Sequence, residues 1–190
     1  MVSIVPVGRQ EFTGSCGLPV SSTDVKLLDD NDNEVPIGER GEICVAGPQV
    51  TQGYWNKPDA NKEAFTADGF FRTGDIGVFD EEGLLRIVDR KKDMIIVSGF
   101  NVFPNEIEAV VTAVDGIAEC ACIGVPDEKT GEAVKVFVVK KPGADVTDAE
   151  IIAHCRKEMT AYKIPRQIVH INELPKSGVG KILRRELREV

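Results

Sequence analysis

The stretch DRKKDMIIVSGFNVFPNEIEAVVTAV, residues 89–114, decides how the chain divides. Before it, the sequence is a series of short apolar runs broken by Gly, Pro, Asn and Asp. At Asp89 five charged residues stand in a row, Asp89 to Asp93. Such a run fits a solvated turn, and it fits equally a charged connector between two folding units. Two strand-like pieces follow around Ser98-Gly99 and read as a hairpin. Pro104 suits the first turn of a helix, and Ile107, Val110, Val111 and Val114 recur at helical spacing on one face.

Working outward, the residues before 89 read as β-rich. DVKLLD (24–29) and GEICVAG (41–47) are strand-like, with a turn-rich connection between them, and GLLRIVD (83–89) is another strand. KPDANKEAF (57–65) reads as a short helix with Pro58 near its start. After residue 114, AECACIGVP and AVKVFVVKK are strands. Thr147 and Glu150 stand at capping-box spacing before a helix that places Ile151, Ile152, Cys155 and Met159 on one face. QIVHI is a short strand and GKILRRELREV (180–190) a final helix. The order from about residue 94 is therefore β-β-α-β-β-α-β-α, an α+β layer.

Charge narrows the function classes. The net charge is −8, which argues against a general nucleic-acid binder, because such a protein needs a basic face to displace counterions. The charge is uneven: residues 24–42 are acidic, while Lys176, Lys181, Arg184, Arg185 and Arg188 form a basic stretch. A local basic patch in an acidic chain suits a small anionic ligand. The five cysteines form no C-x-x-C; Cys120 and Cys122 alternate onto one strand face and read as core residues in a reducing cytosol rather than a metal or redox pair. His154 and His170 make no clustered ligand set, so no metal site is expected. No leader pattern and no apolar run of spanning length is visible, and a soluble intracellular protein is expected.

Three separated segments carry chemistry. In FFRTGDIG (70–77), Thr73, Gly74 and Asp75 read as a tight turn after a strand, and an exposed aspartate there can accept two hydrogen bonds from a vicinal diol; Gly-Asp is also ordinary turn chemistry. In RIVDRKKD (86–93), Arg90 offers a fork of donors to a ribose or phosphate, or is an exposed charge. In ELPKSGVGKILRREL (173–187), Lys181 invites comparison with a phosphate-binding loop. That loop needs G-x-x-x-x-G-K-[ST], but Pro175 stands at the first glycine position and Ile182 at the hydroxyl position. Lys181 is expected near a helix N-terminus, where ammonium and helix end would both favour an anion.

In order and at roughly the family's spacing, GYWNKPDANKEAF, DGFFRTGDIG, RIVDRKKDMIIVSGFNVFPNEIE and ELPKSGVGKILRREL resemble the late motifs of the adenylate-forming superfamily. The likeness covers nearly the whole chain and is nearest to bacterial long-chain fatty acid–CoA ligases. One departure is Phe70-Phe71-Arg72, where the family usually has Trp-Leu-His. The resemblance implies a β-rich end piece of the large N-terminal domain over residues 1–90 and a mobile α+β lid domain over residues 91–190. It implies a reaction of a fatty acid with ATP to give acyl-AMP, then with coenzyme A to give the thioester and AMP. Thr73, Asp75, Ile87 and Arg90 would bind the nucleotide, and Lys181 would be the catalytic lysine. Lys92 would be the hinge, and Ser98, Gly99 and Phe100 would line the coenzyme A path, with Asn101 where some relatives carry a phosphate-contacting arginine. Magnesium is expected with ATP, on ligands outside this chain. The resemblance also implies that the chain by itself is an inactive part of a cytoplasmic enzyme that can associate peripherally with a membrane. Alternatives are an adenylation enzyme that loads a carrier protein, and a nucleotide-binding module without chemistry.

Overall fold

The computed structural model describes residues 1–8 and 13–189. The chain falls into two compact units, Met1–Lys92 and Asp93–Val190.

The first unit is built on antiparallel strands. β1 (Ser3–Ile4) pairs with β2 (Leu18–Pro19). β3 (Asp24–Leu28), β4 (Arg40–Ala46), β5 (Phe71–Phe79) and β6 (Leu85–Arg90) form a second sheet in that order. α1 (Pro58–Ala64) lies between β4 and β5 and begins with proline, whose missing N–H costs nothing in a first turn. Leu27, Ile43, Val45 and Leu85 form the buried cluster. Gly41 lets β4 approach β3: a Cβ there would stand 2.8 Å from the Leu28 nitrogen.

The second unit has the expected order. β7 (Ile95–Val97) and β8 (Phe100–Val102) form the hairpin, followed by α2 (Pro104–Thr112), β9 (Ile117–Asp127), β10 (Gly131–Lys140), α3 (Asp148–Glu158), β11 (Gln167–His170) and α4 (Arg184–Leu187). β10 pairs antiparallel with β9 and β7 and parallel with β11. Strand alternation sorts the side chains between two faces. Cys120, Cys122, Val134, Val136 and Val138 join Ile107, Val111, Ile151 and Cys155 of α2 and α3 in one core. Ala121, Ile123 and Phe137 belong to a second cluster with Leu174 and Leu187 of the C-terminal segment. Burial raises the thiol pKa of Cys44 to about 11 and pushes those of Cys120 and Cys155 up as well. All three thiols thus stay protonated at neutral pH and behave as small apolar groups.

One expectation fails. The final helix is a single turn, Arg184–Leu187, not the run from 180; Val190 lies outside the described residues. Gly178 and Gly180 precede it, and Gly180 adopts φ +79°, which a helix does not allow. Among the described residues, no helix is long and apolar enough to cross a membrane.

The α3 capping box is formed on both sides, with Glu150 N–H donating to Thr147 Oγ1 and Thr147 N–H donating to the Glu150 carboxylate. Thr147→Ala is expected to cost about 1 kcal/mol. Ile151→Ala, at a fully buried position, is expected to cost about 2–5 kcal/mol. Urea titration of the helical circular dichroism signal measures both. Asp127 closes the β9–β10 turn by accepting from the Thr130 hydroxyl, the Thr130 and Lys129 amides and Arg166. The Thr130 hydroxyl is the main cause, and together they lower its pKa to about 2. A lowered folded-state pKa stabilises above the unfolded value, about 3.9, and loses that effect as pH falls toward 2. The difference in stability between the parent chain and Asp127→Asn should therefore be constant above about pH 5 and shrink below it, as read by urea midpoints.

Candidate functional site

In the first unit the site is made by a break in strand register. Across β4 and β5, Cys44 pairs with Arg72 and Glu42 with Ile76, so Thr73, Gly74 and Asp75 together oppose Ile43. The expected turn is thus a bulge inside a continuous strand. Thr73 Oγ1 donates to the Ile43 carbonyl at 2.8 Å and accepts from the Asp75 N–H at 3.1 Å. Gly74 adopts φ +72°, a conformation open to glycine at little cost. The bulge re-aims the chain so that Asp75 stands opposite Arg90 on β6, with Arg90 Nε 3.3 Å from Asp75 Oδ1. Both side chains retain access to solvent. Ile87, on the same strand as Arg90, is 50% exposed, unusual for a large apolar residue on a strand with a packed neighbour.

Sequence reasoning missed a charge network beside this site. Glu42 is only 5% exposed and accepts from Arg72 Nη1 at 3.2 Å and Lys91 Nζ at 3.1 Å. Arg72 also meets Asp32 at 2.5 Å, and Lys91 meets Asp30 at 3.1 Å. The Asp32 hydrogen bond is the main cause of a raised Arg72 pKa. Burial alone would lower that of Lys91, but Glu42 and Asp30 outweigh it and raise it. The signal lay in two halves, the acidic run 24–42 and the DRKKD run, with nothing in the sequence to join them. Lys92 is exposed between half-buried Lys91 and buried Asp93, inside a 3₁₀ turn over Lys91–Asp93.

In the second unit, Ser98 and Gly99 are the two turn residues between β7 and β8, with φ +51° and +81°. Positive φ at both positions gives the mirror-image turn whose twist matches the strands. A Cβ built on Gly99 would meet nothing within 4 Å, so its backbone is open to a ligand. The Phe100 ring stacks on Tyr162 at 4.6 Å and stays 55% exposed.

Lys181 does not stand at a helix N-terminus. It closes a separate tight turn: Lys176 bridges Ile182, Ser177 N–H donates to the Lys181 carbonyl, and Lys181 N–H donates to Ser177 Oγ at 3.2 Å. Lys176 pairs with Glu119, Arg184 with Glu108 and Arg188 with Asp93. Lys181 is exposed and, within its unit and among the described residues, its ammonium meets no carboxylate. The structure therefore brings Thr73, Asp75 and Arg90 together in one unit. In the other it presents Ser98, Gly99 and Phe100 on one turn and Lys181 on another.

The chain is similar to known proteins. The family model described as AMP-binding enzyme matches residues 1–55, and the AMP-binding enzyme C-terminal domain matches residues 106–181. The chain belongs to this family of adenylate-forming enzymes. It is 59% identical over 189 residues to a long-chain-fatty-acid–CoA ligase of Salmonella typhimurium, covering 100% of this chain and 33% of that protein. A long-chain-fatty-acid–CoA ligase of Bacillus subtilis is 46% identical over 177 residues, covering 93% of this chain and 31% of its own length. ATP-bound MatB from Rhodopseudomonas palustris superposes with a TM-score of 0.89 at 37% identity, over 93% of this chain and 35% of that one. The chain spans about a third of the length of the curated relatives it matches.

Because Gly74 meets no atom within 4 Å of a built Cβ, the cost of adding one there is conformational. Gly74→Ala is expected to destabilise the first unit by about 1–2 kcal/mol and to displace Asp75 from Arg90. Urea denaturation followed by far-ultraviolet circular dichroism measures the cost; an unchanged midpoint would show that the bulge does not depend on positive φ.

Proposed function

We propose that this chain serves an ATP-dependent fatty acid–CoA ligase. A carboxylate oxygen attacks the α-phosphorus of ATP and pyrophosphate leaves. The coenzyme A thiol then attacks the acyl carbon of the acyl-adenylate and AMP leaves. The observation that carries this reading is the match across the whole chain to proteins named long-chain-fatty-acid–CoA ligase. The ATP-bound MatB likeness supports the nucleotide.

The geometry supports the roles. Asp75, held on the bulge by Thr73, is partly exposed and has acceptor capacity left for the two ribose hydroxyls. Arg90 Nε is engaged with Asp75, and the rest of its planar fork can reach the ribose or its phosphate. Exposed Ile87 offers an apolar contact to the nucleoside. Lys181 meets the carboxylate and the α-phosphate in the first step, where two negative groups approach each other. An ammonium placed between them stabilises the charge as the new bond forms. Lys92 is the pivot on which the second unit turns between the half-reactions. In the second, the open Ser98-Gly99 turn and the exposed ring of Phe100 line the path of the pantetheine arm.

The roles separate under one substitution. In a ligase of the relatives' length carrying this chain, Lys181→Ala should lower acyl-adenylate formation by about 100-fold or more. Thioester formation from preformed acyl-adenylate should be largely kept. ATP–pyrophosphate exchange reads the first step and release of AMP on adding coenzyme A reads the second. Equal loss in both would sink the assignment of Lys181 to adenylation alone.

A further inference from the structure

Lys181 stands on a tight glycine-containing turn, and the segment that follows it is tied to the rest of its unit. Leu187 is buried in the second core cluster with Leu174, and Leu183 N–H donates to the Pro175 carbonyl. Arg184, the first residue of α4, and Arg188, the residue that caps its C-terminus, then both reach a single carboxylate. Arg184 Nη1 lies 3.7 Å and Arg188 Nη2 3.2 Å from Asp93. Arg184 also makes a forked contact with Glu108 on α2 at 2.9 Å and reaches Asn105 at 2.9 Å. The side chains of Asp93 and Arg184 are 11% and 17% exposed, so the carboxylate and its first arginine are shielded better than a surface pair, while Arg188, 44% exposed, reaches the same carboxylate from the surface.

Asp93 is the first residue of the second unit, directly after Lys92. We propose that Arg184 and Arg188 are positioning residues that act through Asp93. They tie the base of the Lys181 turn to the point where the chain enters its unit. Movement at Lys92 is thereby transmitted to Lys181 without slack, although the two are far apart in sequence. The glycines leave only the tip of the turn free. On the other side of Lys92, Lys91 is held by Glu42 and Asp30 of the first unit. Lys92 is thus the single residue between two ionic anchors. This inference rests on the reading of Lys92 as pivot and Lys181 as the moving lysine, but the tie itself is tested without reference to catalysis.

Amide hydrogen exchange on the 190-residue chain reads it. Three amides report on the turn and its base: Ser177, bonded to the Lys181 carbonyl; Gly180, bonded to the Ser177 carbonyl; and Leu183, bonded to Pro175. Asp93→Asn should raise exchange at these three amides about tenfold, the scale of a lost charge-assisted hydrogen bond, with β9 and β10 amides nearly unchanged. Arg188→Gln should raise it most of the way, leaving only the longer Arg184–Asp93 contact, and the double variant should add little to Asp93→Asn, because both remove the Arg188–Asp93 contact. Arg188→Lys, which keeps the charge, should restore most of the protection. Unchanged exchange at the three amides in Asp93→Asn overturns the tie. So does a rise of equal size throughout β9 and β10, or full additivity in the double variant. A failure here is distinct from a failure of the Lys181→Ala assay, which reads the lysine and not its anchor.

Discussion

Water solvates a carboxylate so well that burying one is tolerable only where the protein supplies cations or donors in its place. This chain buries Glu42, Asp89 and Asp93, all close to the junction of its two units. Glu42 is answered by Arg72 and Lys91, Asp93 by Arg184 and Arg188. Asp89 accepts from the Arg90 N–H. Removing one partner from such a pair typically costs about 3–5 kcal/mol, more than a typical surface ion pair contributes. The run DRKKD is therefore not simply a solvated turn: the boundary between the two units falls within it, and its two aspartates are buried. Its first lysine is held, and Arg90 and Lys92 are left exposed.

The elements themselves were legible. Period-two alternation in AECACIGVP put Cys120 and Cys122 on one face, which the structure packs into one core, and the Thr147–Glu150 spacing marked the start of α3. The Ser98-Gly99 pair marked the hairpin because few other dipeptides accept positive φ twice. Local chemistry was enough in each case. Where it misled, a longer-range partner intervened. Thr73-Gly74-Asp75 has the composition of a turn, but the chain on both sides pairs with β4, and the glycine is used for a bulge instead. The basic C-terminal run has helical composition, yet the Lys176–Ile182 bridge and Gly180 at φ +79° hold its first part in a turn.

The candidate site was legible in a different sense. No single motif carried it, since Gly-Asp, an arginine in a charged run and a lysine after glycine are each common. Their order made the reading. The supporting groups were not legible, because Glu42 with Lys91, or Asp93 with Arg188, are joined only when segments far apart in sequence are folded together.

The two glycine turns and the bulge share one design. Each uses positive φ to display a candidate group on a short segment, and each segment is held at its base by further contacts. The bulge hangs on the Thr73 hydroxyl bridging Ile43 and Asp75; the hairpin tip hangs on Ser98 N–H donating to the Thr130 carbonyl. The Lys181 turn hangs on Leu187 and the arginines of α4. An ammonium on a four-carbon stem has ample freedom of its own, and each further loose torsion beneath it dilutes the fraction of time it spends where charge develops. A base held by buried Leu187 and the two arginines limits the loose torsions beneath Lys181 to those of its own side chain and turn.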